Sequence, residues 1–205
     1  MKGLVLLTTL LLILGISNLC AIPNDLPTEA ESAQHIYDVS MDTCDYDFYK
    51  ADVGHIFRSG ERREAFIGTY ENGSSFDGEH AYQYVDGEKT QINEFPFDQY
   101  DSYAEKILEL SKTILTHKYY TAYNDTRRGY EENYYYYKIS KEGLALFQDQ
   151  EYSYGRITCY YFDNEFQDFT LILSSSVTDR PEISCTFGKI RYTTTFSPVT
   201  ATTHE

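Results

Sequence analysis

The first apolar signal along the chain is a block, not an alternation. Residues 4–16 are Leu, Val, Ile and Thr with a break at Gly15, behind a short basic start of Met1, Lys2 and Gly3. Ser17, Asn18, Leu19, Cys20 and Ala21 follow, and the chain turns polar at Asn24 and Asp25. A basic start, an apolar stretch and a small-residue zone predict a cleavable secretory signal over residues 1–21. The block is shorter than the roughly 18 to 20 residues that a helix needs to cross hydrocarbon, which argues against a retained anchor. Cleavage after Ala21, at the polar boundary, discards Cys20; cleavage after Ser17 keeps it. The C-terminal Thr and Glu residues offer no apolar tail for a lipid anchor.

Residues 22–34 are polar with Pro23 and Pro27, and read as an extended, flexible leader. From there the pattern turns to period two. Residues 63–70 place Ala65, Ile67 and Thr69 on one face, and Asn72-Gly73 marks a turn. Residues 80–85 and 89–93 form a hairpin about Asp86-Gly87. Phe95-Pro96-Phe97 interrupts the alternation, and the period becomes helical. Tyr103, Ile107, Leu110 and Ile114 recur at three- and four-residue spacing, behind a Ser102-x-x-Glu105 capping box. This predicts one amphipathic helix over residues 102–117.

A polar loop through residues 124–129 leads back to strands at 134–139, 144–148, 155–162, 166–174 and 182–192, with Asp163-Asn164 as one of the turns. Residues 193–205 read as a loose, Thr-rich tail. Short turns favour an antiparallel meander over parallel crossovers. The expected fold is therefore α+β and mainly β: a curved or barrel-like antiparallel sheet with one helix over a face or an end, in a single domain over residues 35–192.

Composition adds the compartment's chemistry. Of 205 residues, 32 are acidic and 17 basic, and loss of Lys2 with the signal takes the net charge from −15 to about −16. Such a chain repels nucleic acid and anionic membrane and attracts cations, amines and basic proteins. With 21 Tyr, 12 Phe and no Trp, rings with one polar tip are available for half-buried strand faces or for binding surfaces.

Outside the cell, cysteines favour disulfides. Cys159 and Cys185 lie in two strand-like runs and are the expected pair, with Cys44 bonded to either as the alternative. If Cys20 leaves with the signal, one of three remaining cysteines is unpaired, and a disulfide-linked dimer becomes an expectation. Asn72-Gly73-Ser74 and Asn124-Asp125-Thr126 are glycosylation sequons.

Motifs for chemistry are scarce. Asp42, Asp45, Asp47 and Asp52 could supply oxygen ligands to calcium, but their spacing departs from the EF-hand loop. His35, His55, His80, His117 and His204 are scattered without zinc-ligand spacing. No nucleophile elbow, phosphate loop or dinucleotide fingerprint occurs, and no cofactor is expected. The most distinctive run is Tyr134, Tyr135, Tyr136 and Tyr137. In a strand these alternate between faces, one pair in the core and the other exposed or lining a ligand cavity. The function expected is a secreted, extracellular, non-enzymatic binding protein for a small cationic or amphipathic ligand, or for a basic protein. The alternative is a structural matrix protein with weak calcium association, and an enzyme ranks third.

Overall fold

A computed structural model describes residues 26–126, 131–148, 151–175 and 181–190. The signal segment, both cleavage points and the Thr-rich tail lie outside the described residues. The chain order is α1 (Glu29–Asp38), β1 (Asp45–Lys50), β2 (Gly54–Ser59), β3 (Arg62–Gly68), β4 (Asn72–Phe76), β5 (Ala81–Val85), β6 (Glu88–Ile92), α2 (Phe97–Thr116), β7 (Tyr120–Thr126), β8 (Glu132–Ile139), α3 (Lys141–Leu144), β9 (Tyr154–Phe162), β10 (Glu165–Ser174) and β11 (Ile183–Gly188).

All eleven strands form one antiparallel sheet, in the order β6-β5-β4-β3-β2-β1-β11-β10-β9-β8-β7. Two meanders build it. The first runs outward from β1 to the β6 edge. Helix α2 then carries the chain to the opposite edge, and the second meander runs inward from β7 to β11. The halves join where β1 pairs with β11, Phe48 opposite Cys185. The α+β, mainly β expectation holds, and the sheet is curved but open, with β6 and β7 as free edges.

Alternation decides what each strand buries. In β9, Gly155, Ile157, Cys159 and Tyr161 point to the helices while Arg156, Thr158 and Tyr160 point away. Tyr46, Phe48, Phe169, Leu171, Leu173 and Phe187 continue the inner face, each at most 1 % exposed. A fully buried side chain of this kind contributes about 1.5–3 kcal/mol of transfer free energy. Helix α2 lays Ala104, Ile107, Leu108, Ile114 and Leu115 on that face, with Tyr103 stacked 6.1 Å from Phe48. The hairpin turns at Asp86-Gly87 and Asp163-Asn164 form, with positive φ at all four residues, the backbone that a tight two-residue turn needs.

Several expectations are corrected. The leader is not wholly extended: Thr28 and Glu31 form a capping box and open α1. The box's hydrogen bonds from the Thr28 backbone and hydroxyl hold the Glu31 carboxyl below its usual range. Helix α1 is tied to the sheet by Ser32 Oγ to Tyr161 Oη at 2.7 Å and by Tyr137 Oη, which donates to the Glu29 carbonyl at 3.0 Å. Helix α2 begins at Phe97, so Ser102 is internal and its hydroxyl donates to the Gln99 carbonyl at 2.6 Å instead of capping. Asn72-Gly73 opens β4 and is not a turn. Residues 144–148 are not a strand, because Ser140 caps the short α3 and turns Leu144 into the core. Strands β1 and β2 are present where the sequence suggested an acidic segment, and β7 occupies part of the expected polar loop.

Candidate functional site

The tyrosine run divides between the faces of β8. Tyr135 and Tyr137 are in the core beside α1, 6 % and 0 % exposed. Burial is the main cause raising both phenols above their usual range. Tyr134 and Tyr136 face the other way, their rings stacked 6.1 Å apart. Tyr136 also stacks on Tyr123 of β7 at 4.8 Å, and Tyr134 lies 5.2 Å from Tyr160 of β9. The run is therefore not one wall. Half of it anchors α1, and half belongs to an outer aromatic patch.

A larger cavity lies elsewhere, at the β4–β6 end of the sheet under the N-terminal end of α2. It is an open cleft of about 950 Å³, lined by Arg63, Phe76, His80, Ile92, Phe97 and Asp98 among others. Its shape follows from the break at Phe95-Pro96-Phe97. Pro96 stands at the N-cap of α2 without a side-chain cap, and Phe95 folds back into the core at 4 % exposure. The rings pack as a cluster, Phe95 to Phe97 at 4.7 Å and Phe76 to Phe97 edge-on at 5.1 Å. Arg63 lies 4.8 Å above the Phe97 ring. Its guanidinium is held by Asp101 at 3.6 Å, and Asp101 also accepts the Tyr46 hydroxyl. Burial, then that hydrogen bond, push the Tyr46 phenol far above its usual range.

The rim of this cleft is acidic. Glu79, Glu94 and Asp98 are exposed around it. His80 stands 3.9 Å from Glu79 and 4.0 Å from Asp77. The Asp77 carboxyl accepts the backbone N–H groups of His80 and Glu79, which hold it below its usual range. The cleft thus presents an aromatic floor, three carboxylates and one guanidinium already engaged by a carboxylate.

The remaining candidates are dispersed. Asp45 accepts from Ser59 Oγ and the Gly60 N–H, Asp47 binds His55, and Asp52 pairs with Lys50 at 3.2 Å. The aspartates are committed separately, and no three metal-ligating groups gather among the described residues. Cys44, Cys159 and Cys185 are free thiols. The expected Cys159–Cys185 bridge is not formed. Cys159 pairs with Phe169 of β10, and Cys185 lies beyond β10 on β11. Two strand spacings are roughly 10 Å, too far for the 4.4–6.8 Å Cα separation of a disulfide. Burial raises the Cys159 and Cys185 thiols well above their usual range. Both sequon asparagines are exposed, Asn72 at the start of β4 and Asn124 on edge strand β7, where its amide donates to the Pro27 carbonyl at 3.2 Å.

Sequence reasoning did not find the cleft, although the Glu94-Phe95-Pro96-Phe97-Asp98 run, aromatic residues bracketed by acids at a break in pattern, is its local sign.

Compared with known proteins, the chain matches no family model and no curated protein. Among solved structures it is similar to the crystal structure of LprF from Mycobacterium bovis. That match has a TM-score of 0.27 and 9 % identity, and covers 78 % of this chain and 91 % of that one. At that TM-score the likeness carries no argument about fold or function.

Proposed function

We propose that this is a secreted, non-enzymatic binding protein whose cleft captures a small cationic, amphipathic ligand. The observation that carries the reading is the cleft's composition: about 950 Å³ of space over Phe76, Phe95 and Phe97, rimmed by Glu79, Glu94 and Asp98. Ligand sites of roughly 300–1,000 Å³ combine apolar walls with a few polar groups that set orientation. Here the rings take an apolar body and the carboxylates take an ammonium group, which the ring faces also attract. Arg63 does not cancel that preference, because Asp101 already holds it. The chain's net charge of −15 adds a long-range pull on cations.

Calorimetric titration with phenethylamine, set against the neutral phenethyl alcohol, tests the reading. The amine is expected to bind more tightly, its affinity to fall with added salt, and the paired change Glu94→Gln and Asp98→Asn to weaken it. Equal affinity for amine and alcohol, or affinity indifferent to salt, would remove the electrostatic basis of the proposal.

A further inference from the structure

On the face of the sheet away from the helices, strands β8, β9 and β10 form a second hollow of about 300 Å³, lined by Tyr134, Arg156, Thr158, Tyr160, Asp168, Thr170 and Ile172. The register arranges these side chains in rows across the strands. Tyr134, Tyr160 and Asp168 form one row, Tyr136, Thr158 and Thr170 the next, and Lys138, Arg156 and Ile172 the third. Asp168 and Arg156 stand at opposite ends of this grid, four residues apart along the strands. That is roughly 13 Å of backbone, and they form no ion pair with each other.

Neither charged group has an ion-pair partner among the described residues. The Arg156 Nε is fully buried with no hydrogen-bond acceptor among the described residues. Its guanidinium lies 5.0 Å from the centre of the Tyr136 ring, which keeps it in the hollow. Asp168 has no hydrogen-bond or ion-pair partner among the described residues, and burial pushes its carboxyl up to about 7. Thr170 is not available to it, since that hydroxyl is bonded to Thr186 at 2.8 Å. A buried donor left without an acceptor is unfavourable, and a half-buried carboxyl without a partner is costly to ionise. An open hollow that holds one of each, lined also by two tyrosines and Ile172, is complementary to a molecule bearing an ammonium and a carboxylate on a short apolar body.

We propose that this hollow is a binding site for a small zwitterion of dipeptide size, with its ammonium on Asp168, its carboxylate on Arg156 and its apolar part against the paired rings of Tyr134 and Tyr160. The site is separate from the cleft under α2 and does not depend on it.

The probe is phenylalanyl-glycine with free termini, titrated calorimetrically into the mature chain beside its N-acetyl and C-amide forms. The free dipeptide is expected to bind, and Asp168→Asn to weaken it at least about tenfold, as loss of a charge-assisted hydrogen bond does. Asp168→Asn should not further weaken the N-acetyl form, which has already lost the ammonium. Arg156→Lys should act in the same way against the free and amidated forms. The pair Glu94→Gln and Asp98→Asn, which tests the cleft, should leave dipeptide binding unchanged. Thermal unfolding confirms that each variant is folded, and Arg156→Lys keeps the positive charge if a larger change is not tolerated. No heat at millimolar dipeptide, or an affinity that neither Asp168→Asn nor Arg156→Lys moves, would overturn the assignment without touching the cleft proposal.

Discussion

The Asp168 carboxyl links the outer hollow to the stability of the whole sheet. Burial raises it from 3.8 to about 7 in the folded chain. The folded state therefore holds the proton more tightly than the unfolded state. Below about pH 4 the group is neutral in both states and contributes nothing to the difference. As pH rises toward 7 the unfolded chain ionises freely while the folded chain does so only against burial, so stability is lost across that window and stays lost above it. At about 1.36 kcal/mol for each tenfold change in acidity, the rise corresponds to something on the order of 4 kcal/mol at neutral pH. Solvent reaching the half-buried group makes this an upper value. Asp168→Asn keeps the shape and removes the titration. Urea unfolding of both proteins from pH 4 to 8 should show equal pH dependence elsewhere in the chain. The difference in favour of Asn should open between pH 4 and 7, reach at most about 4 kcal/mol, and then level. A difference that is constant with pH, or that favours Asp at pH 8, would refute the assignment of an unpaired, half-buried carboxyl.

Four further outcomes follow from the fold. Tyr137→Phe removes the hydroxyl that donates to the Glu29 carbonyl, and urea titration should show a loss of about 1–2 kcal/mol. Gly188 has φ +138°, and a Cβ there would lie 2.4 Å from the Gln167 carbonyl oxygen. Gly188→Ala should lower the urea midpoint by the equivalent of about 2 kcal/mol or more, and an unchanged midpoint would mean that the β10–β11 contact is looser than described. Thr28→Ala breaks the capping box of α1, and a loss of about 1 kcal/mol in urea is expected, with none pointing to a helix held by the sheet alone. Alkylation followed by intact-mass measurement of a chain beginning at Ile22 should add three labels when it is unfolded without reductant, and at most one, at half-buried Cys44, when it is native; fewer than three in the unfolded chain would reveal a bridge.

Legibility in the sequence followed the strength of the alternation. β9 and β10 announce themselves, because Ile157, Cys159 and Tyr161 in the one and Phe169, Leu171 and Leu173 in the other alternate inward and their connecting turn is Asp163-Asn164. β1 has the same alternation, with Tyr46 and Phe48 inward and Asp45 and Asp47 outward. Carboxylates in the outward positions make it resemble a solvated acidic run, and a calcium reading competes with a strand. The two helix starts show how a capping motif depends on what precedes it. Thr28-x-x-Glu31 caps α1 behind a proline-containing leader, whereas Ser102-x-x-Glu105 lies more than one turn inside a helix that starts at Phe97. The tyrosine run is legible as two faces, one in the core and one outward, but not which elements each face meets, because α1 covers the one and β7 and β9 flank the other. The disulfide expectation failed on strand order. Runs with one strand between them in sequence are two spacings apart in a meander, which the spacing of cysteines does not reveal. The cleft draws on β3 to β6 and the start of α2, so only its Phe95-Pro96-Phe97 corner has a local sign.

The pairing of β1 with β11 has a kinetic meaning. Every other neighbouring pair of strands is consecutive along the chain, but Phe48 meets Cys185 across 137 positions. Closing so long a loop costs more chain entropy than closing any of the hairpins, and pairings of high sequence separation form slowly. Each meander can zip locally while this seam waits for the last strand to emerge. Until then, the strand that ends up at the centre of the sheet is an exposed edge. The outward carboxylates Asp45 and Asp47, already held by Ser59, Gly60 and His55 once β2 has paired, place negative charge on that edge and disfavour its self-association until β11 arrives.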